Sequence, residues 1–287
     1  MRNAFTSNSR RIARVHGVQS FPGNGQVFRK HLVLMPGQWD QSDPFLMMAE
    51  DWWGKPGGFE PHPHRGIETV TYVISGAIEH RDNRGHVGVL RPGDVQWMTA
   101  GSGIIHSEMP YGLETVHSLQ LWVNLPKERK MIEPRYQDLP AAQVPVRREP
   151  GVEARVYSGK SGDIAANTLN HWPVTMVDLR LDAKARFVQE VAPADNGFFY
   201  VLQGAGKFGA DGQAGQAGDV LWLAPASAGE DAIVVEATAP LHALYWAGPP
   251  IRQPVAAGGP FVMNTEAEVY QAFDDYRAGK FGPFEVA

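Results

Sequence analysis

Residues 71–76 read TYVISG and residues 199–204 read FYVLQG; each is followed by a second matching stretch, PGDVQW at 92–97 and AGDVLW at 217–222. A repeated unit fixes an architecture before any local assignment is made. Gly76 to Gly93 spans 17 residues and Gly204 to Gly218 spans 14, so both copies predict strand, turn, strand, turn, with one loop shortened in the second. Around them ETVTYVIS, HVGVL, VHSLQLWVNL, VTMVDLRL, RFVQEV, GFFYVLQ, DVLWLA, AIVVEA and LHALYWA alternate or run apolar between turn residues, which is the pattern of strands. GAIEHRDNRGHVGVL predicts a hairpin turning at Asn83 to Gly85. The chain is therefore expected to be all-β, with two domains of like fold.

Length and composition agree. The chain has 287 residues, enough for one large or two ordinary domains. Its 31 glycines and 22 prolines give a turn density that favours many short strands. Between the repeats, LPKERKMIEPRYQDLPAAQVP at 125–145 is charged, proline-rich and weakly periodic, and is expected to link a first domain at 1–139 to a second at 140–287. Near the carboxyl end, NTEAEVYQAFDDYRAGKFG predicts one short amphipathic helix. Thr265 and Glu268 form a capping box there, and Gly279 is placed for the C′ position.

The composition also excludes classes of function. A formal net charge of −5 without a long basic run gives no footprint for nucleic acid or an anionic membrane. No apolar stretch of about 18 residues occurs, and the amino terminus lacks the apolar core of a signal peptide; a cytoplasmic location is expected. The chain contains no cysteine, so a metal here must be held by nitrogen and oxygen.

The residues for such a site lie in EPHPHRG at 60–66 and GSGIIHSEMP at 101–110. Residues i and i+2 of a strand share a face, so His62 and His64 present two imidazoles together, with Pro63 holding the segment extended. His106 and Glu108 form a second such pair after Gly101 and Gly103. Two same-face pairs on neighbouring strands converge on one point. Three imidazoles and a carboxylate suit one divalent transition ion, Fe(II), Mn, Ni, Cu or Zn, and leave positions open on a metal that prefers six ligands. Glu68, four residues beyond His64, is a rival carboxylate; strand twist and Gly66 would make it a supporting residue outside the ligand set. The other histidines, among them His31, His80, His86, His117 and His242, read as structural. Tyr72 aligns with Tyr200 at an offset of 128, which puts Glu190 and Ala192 where His62 and His64 would fall, so the second domain is expected to lack a metal.

HPHRGIETVTY, HRDNRGHVGVLRPGDVQWMTAGSGIIHSEMP, LWVNLP, EPRYQDLP and FVMNTEAEVYQAFDDYRAGKFG resemble the pirins, two-domain members of the cupin superfamily. The resemblance covers nearly the whole chain. It implies a bicupin, each half a double-stranded β-helix barrel, with iron in the amino-terminal barrel held by His62, His64, His106 and Glu108. Two functions follow from it as expectations. One is an Fe(II)-dependent, quercetinase-like dioxygenase that opens the ring of flavonol substrates with dioxygen, Glu108 acting as ligand and base. The other is an iron-dependent redox-sensing regulator that binds a protein partner.

Overall fold

The computed structural model describes residues 8–284. Two compact units account for them, and their limits differ from a single cut at residue 140. Residues 8–18 join 144–250 in one unit; residues 19–143 join 251–284 in the other. Each terminal segment thus belongs with the half of the chain distant from it in sequence.

The two units repeat one plan. In the unit holding 19–143, seven antiparallel strands run in the order Arg135–Leu139, Val95–Thr99, Ile67–Ser75, Val116–Asn124, Phe45–Trp53, Arg29–Leu34 and Gln19–Pro22. A four-stranded sheet runs in the order Phe59–His64, Ile104–Pro110, Ile78–Asp82, Val87–Leu90. The other unit has a seven-stranded sheet ending on Ile12–Gly17 and a four-stranded sheet in the order Arg186–Glu190, Ala232–Ala237, Ala205–Phe208, Gln213–Gln216. The predicted strands all form. The segment expected to be a bare linker contributes Arg135–Leu139, which pairs with Val95–Thr99; an edge strand paired on one side carries charged residues that hide its period.

The barrels differ in what fills them. In the unit built from 144–250, Phe187, Phe199, Leu221, Ile233, Val235 and Tyr245 belong to one continuous apolar core. Strand Ala232–Ala237 pairs with Arg186–Glu190 as Ile104–Pro110 pairs with Phe59–His64, and its core positions are Ile233 and Val235. In the metal-motif barrel the apolar residues separate into two groups. Trp53, Val73, Ile78, Leu90 and Val116 fill one end; Leu46, Ile67, Met98, Ile104 and Val262 fill the other. Polar side chains occupy the space between.

The carboxyl-terminal segment is bound into this second unit by its own chemistry. Helix Glu266–Arg277 begins with the predicted capping box of Thr265 and Glu268. It ends in a Schellman arrangement, with Gly279 N–H donating to Tyr276 O and Lys280 N–H to Asp275 O. Arg65, the residue after His64, donates to Asp275 (2.8 Å) and to Ser102 O (2.7 Å), and its guanidinium lies over the Phe281 ring. Buried Lys130 donates to Gly66 O, Asn124 Oδ1 and Val262 O at 2.8–2.9 Å. Gly66 has φ +81°, and a Cβ there would stand 2.0 Å from Val262 O, so only glycine lets the chain turn away from His64 this close to the carboxyl-terminal strand.

Candidate metal centre

His62 and His106 are direct cross-strand partners, and Ile104 pairs with His64. Parity then sends His62, His64 and His106 to one side of the four-stranded sheet. One ring nitrogen from each lies within 4.8 Å of the others. His64 and His106 are buried; His62 is half-buried and closes the group on its more open side.

Each imidazole is fixed through the nitrogen that faces away from the group. His62 Nδ1 is held by Glu60 O at 2.8 Å and His64 Nδ1 by Pro260 O at 3.2 Å. His106 Nδ1 meets His80 Nε2. The buried Nε2 atoms of His64 and His106 have no hydrogen-bond partner. Buried polar atoms usually have partners, and among those here that lack one, these two belong to imidazoles converging within 4.8 Å of one another, which marks a position for a cation. Anchoring one ring nitrogen so that the other faces a metal is the usual outer arrangement of histidine ligands. Burial holds the pKa of His62 below its usual value, pushes His64 to about 3 and sends His106 well down. All three are neutral ligands at physiological pH. These residues fit a single divalent transition ion.

Glu108 lies on the same strand, two residues beyond His106, but its carboxylate does not belong to the tight group of three nitrogens. Thr71 Oγ1 donates to its Oε1 (3.1 Å) and Gln120 Nε2 donates to both oxygens (3.1 and 3.0 Å). Burial raises its pKa to about 7, against the opposing effect of these donors and with a further push from Asp51. Glu68 stands apart from Glu108. It lies on the opposite face of Ile67–Ser75 from Thr71, and its Oε1 accepts from Thr99 Oγ1 at 2.7 Å. The supporting carboxamide and hydroxyl at Glu108 are Gln120 and Thr71 instead.

The reading of His80 as an ordinary structural histidine needs correction. It is buried, its Nε2 meets His106, and its Nδ1 has no partner; Tyr136 meets its ring edge-on at 5.2 Å. Its clue in the sequence was parity in IEHRD, usable only once Ile78–Asp82 is known to flank Ile104–Pro110. Other histidines have ordinary partners: His31 and His117 bracket Glu50, His86 meets Asp138, and His242 meets Asp178.

Comparison with known families decides the lineage. The family model "Pirin" matches residues 27–123 and "Pirin C-terminal cupin domain" matches residues 176–282. The chain belongs to the pirin family. The pirin-like protein of Solanum lycopersicum is 44% identical over 262 residues, covering 91% of this chain and 88% of its own length. Mouse pirin is 43% identical over 248 residues, covering 85% and 84%. Among solved structures, quercetin 2,3-dioxygenase from Acinetobacter baumannii superposes with a TM-score of 0.86 at 28% identity, over 96% of this chain and 99% of that one. The two family matches fall mainly on the two units in turn. Among the described residues no helix is long and apolar enough to cross a membrane.

Proposed function

We propose that the protein is a metal-dependent dioxygenase that opens the oxygen-bearing ring of flavonol-like substrates. The observation that carries this reading is a buried carboxyl group, held by Thr71 and Gln120, in the same barrel as three converging neutral imidazoles. His62, His64 and His106 would hold an iron(II) ion, with Glu108 as the fourth ligand. The bound ion would lower the pKa of a substrate hydroxyl and bring the resulting enolate together with dioxygen.

The chain's own groups account for the remaining requirements. Glu108 accepts the hydroxyl proton; its burial, which raises its pKa to about 7 in the metal-free protein, makes it a stronger base than an exposed carboxylate. Gln120 and Thr71 hold the carboxylate in place, so it needs little reorganisation when its charge changes. The apolar groups at both ends of the barrel restrict water around the electron-rich substrate. The likeness of fold to a quercetin 2,3-dioxygenase over 99% of that chain supports a flavonol as the substrate class.

The test is oxygen uptake with quercetin under air, together with loss of the flavonol absorbance, using protein carrying one iron per chain. Turnover abolished by Glu108→Gln supports the reading. Full iron occupancy without oxygen uptake overturns it and leaves the redox-sensing regulator with a protein partner as the better account.

A further inference from the structure

A cavity of about 430 Å³ opens beside the metal-motif barrel, bordered by Trp39, Leu46, Met47, Trp122, Ala257 and Val262. Its size falls within the range of roughly 300–1,000 Å³ that small-molecule sites occupy. No charged side chain lines it. The two indoles could have offered donors, but both N–H groups are already engaged: Trp39 Nε1 donates to Leu46 O (3.2 Å) and Trp122 Nε1 to Gln120 Oε1 (3.1 Å). What they present to the cavity is ring surface. Pro36 and Gly37 on one side and Ala257 and Gly259 on the other are exposed, so the cavity has a mouth.

Trp122 is also a wall of the metal centre. Its ring meets His64 edge-on, with centroids 5.1 Å apart and planes at 82°. Through Gln120, which donates to both Glu108 oxygens, the same indole is one hydrogen bond removed from the carboxylate's own support. A molecule seated against Trp122 therefore bears on His64 by contact and on Glu108 through Gln120.

We propose that this cavity binds an uncharged planar aromatic molecule of about two fused rings, and that Trp122 transmits its presence to the metal centre. Apolar surface, two aromatic walls and the absence of a charged side chain select a flat apolar guest over a charged one. Transmission rests on the metal-centre reading above; binding does not. Linkage requires the effect to be mutual, with the aromatic guest and the metal altering each other's affinity by the same factor.

The test uses 2-naphthol as the probe and calorimetric titration of the metal-free protein. A saturable one-to-one heat is expected, and naphthalene-2-sulfonate should bind at least about tenfold more weakly because nothing in the lining compensates its charge. Ala257→Trp, at an exposed position in the mouth, should weaken 2-naphthol by at least about tenfold by filling the space, with its thermal midpoint unchanged. No saturable binding, or equal affinity in the Ala257→Trp variant, overturns the cavity assignment whatever the metal does. Zinc affinity is then measured with and without saturating 2-naphthol. A severalfold difference in the wild type that disappears in Trp122→Phe, which keeps a ring but loses the bond to Gln120, supports transmission. Identical zinc affinities in the wild type overturn it.

Discussion

His106 lies directly opposite His62 in the antiparallel pair, with ring centroids 4.2 Å apart. This register turns two separated motifs into one site. A slip of one residue would send every side chain of a strand to its other face and leave the imidazoles divided between the inside of the barrel and its exterior. Much of the chemistry therefore depends on the pairing of Phe59–His64 with Ile104–Pro110.

The pH dependence of metal binding should identify Glu108 as a ligand. In the metal-free protein its carboxyl has a pKa of about 7, while that of His64 is about 3. Below pH 7 a cation must displace a proton from Glu108, and above it no proton is lost there. Apparent metal affinity should rise by up to about tenfold per pH unit between pH 5 and 7 and then level off. In Glu108→Gln that slope should be smaller and affinity should be lower throughout. Metal titrations at a series of pH values check this; an unchanged slope in the variant removes Glu108 from the ligand set.

His80 should matter to the metal without being a ligand. By meeting Nδ1 of His106 it fixes which nitrogen of that ring faces the cluster. His80→Phe should weaken metal binding by about 10–100-fold while the far-ultraviolet circular dichroism stays that of the wild type. Competition with a chelator measures the affinity, and unaltered affinity would show that His106 orients itself without help.

Lys130 should be a stability residue. Its buried Nζ donates to three oxygens, those of Gly66, Asn124 and Val262. Lys130→Met should cost about 3 kcal/mol, seen as a lower urea midpoint with an unchanged slope. A midpoint within error of the wild type would mean that those oxygens find other donors.

The fold was legible because the repeat, TYVISG against FYVLQG, reports a duplication directly, and because strand parity alone places His62 with His64 and His106 with Glu108. What escaped the sequence depends on neighbours distant along the chain. His80, Thr71 and Gln120 reach the site only because Ile78–Asp82 flanks Ile104–Pro110 on one side and two further strands line the barrel opposite. Gln120 is a polar residue within the apolar run SLQLW. The four-residue separation of Glu68 from His64 preserves parity only along one continuous strand, and the chain turns at Gly66. The exchange of terminal segments had no local signal, since Ile12–Gly17 finds its partner in Asp219–Leu223, some two hundred residues away.

The most direct test is the metal content, by elemental analysis, of wild-type protein and His106→Ala purified side by side without added metal. The wild type should carry close to one transition-metal ion per chain, and the variant close to none with its fold intact, because an open three-imidazole site adds less to stability than two packed barrels do. A full complement of metal in His106→Ala would contradict the assignment of the site.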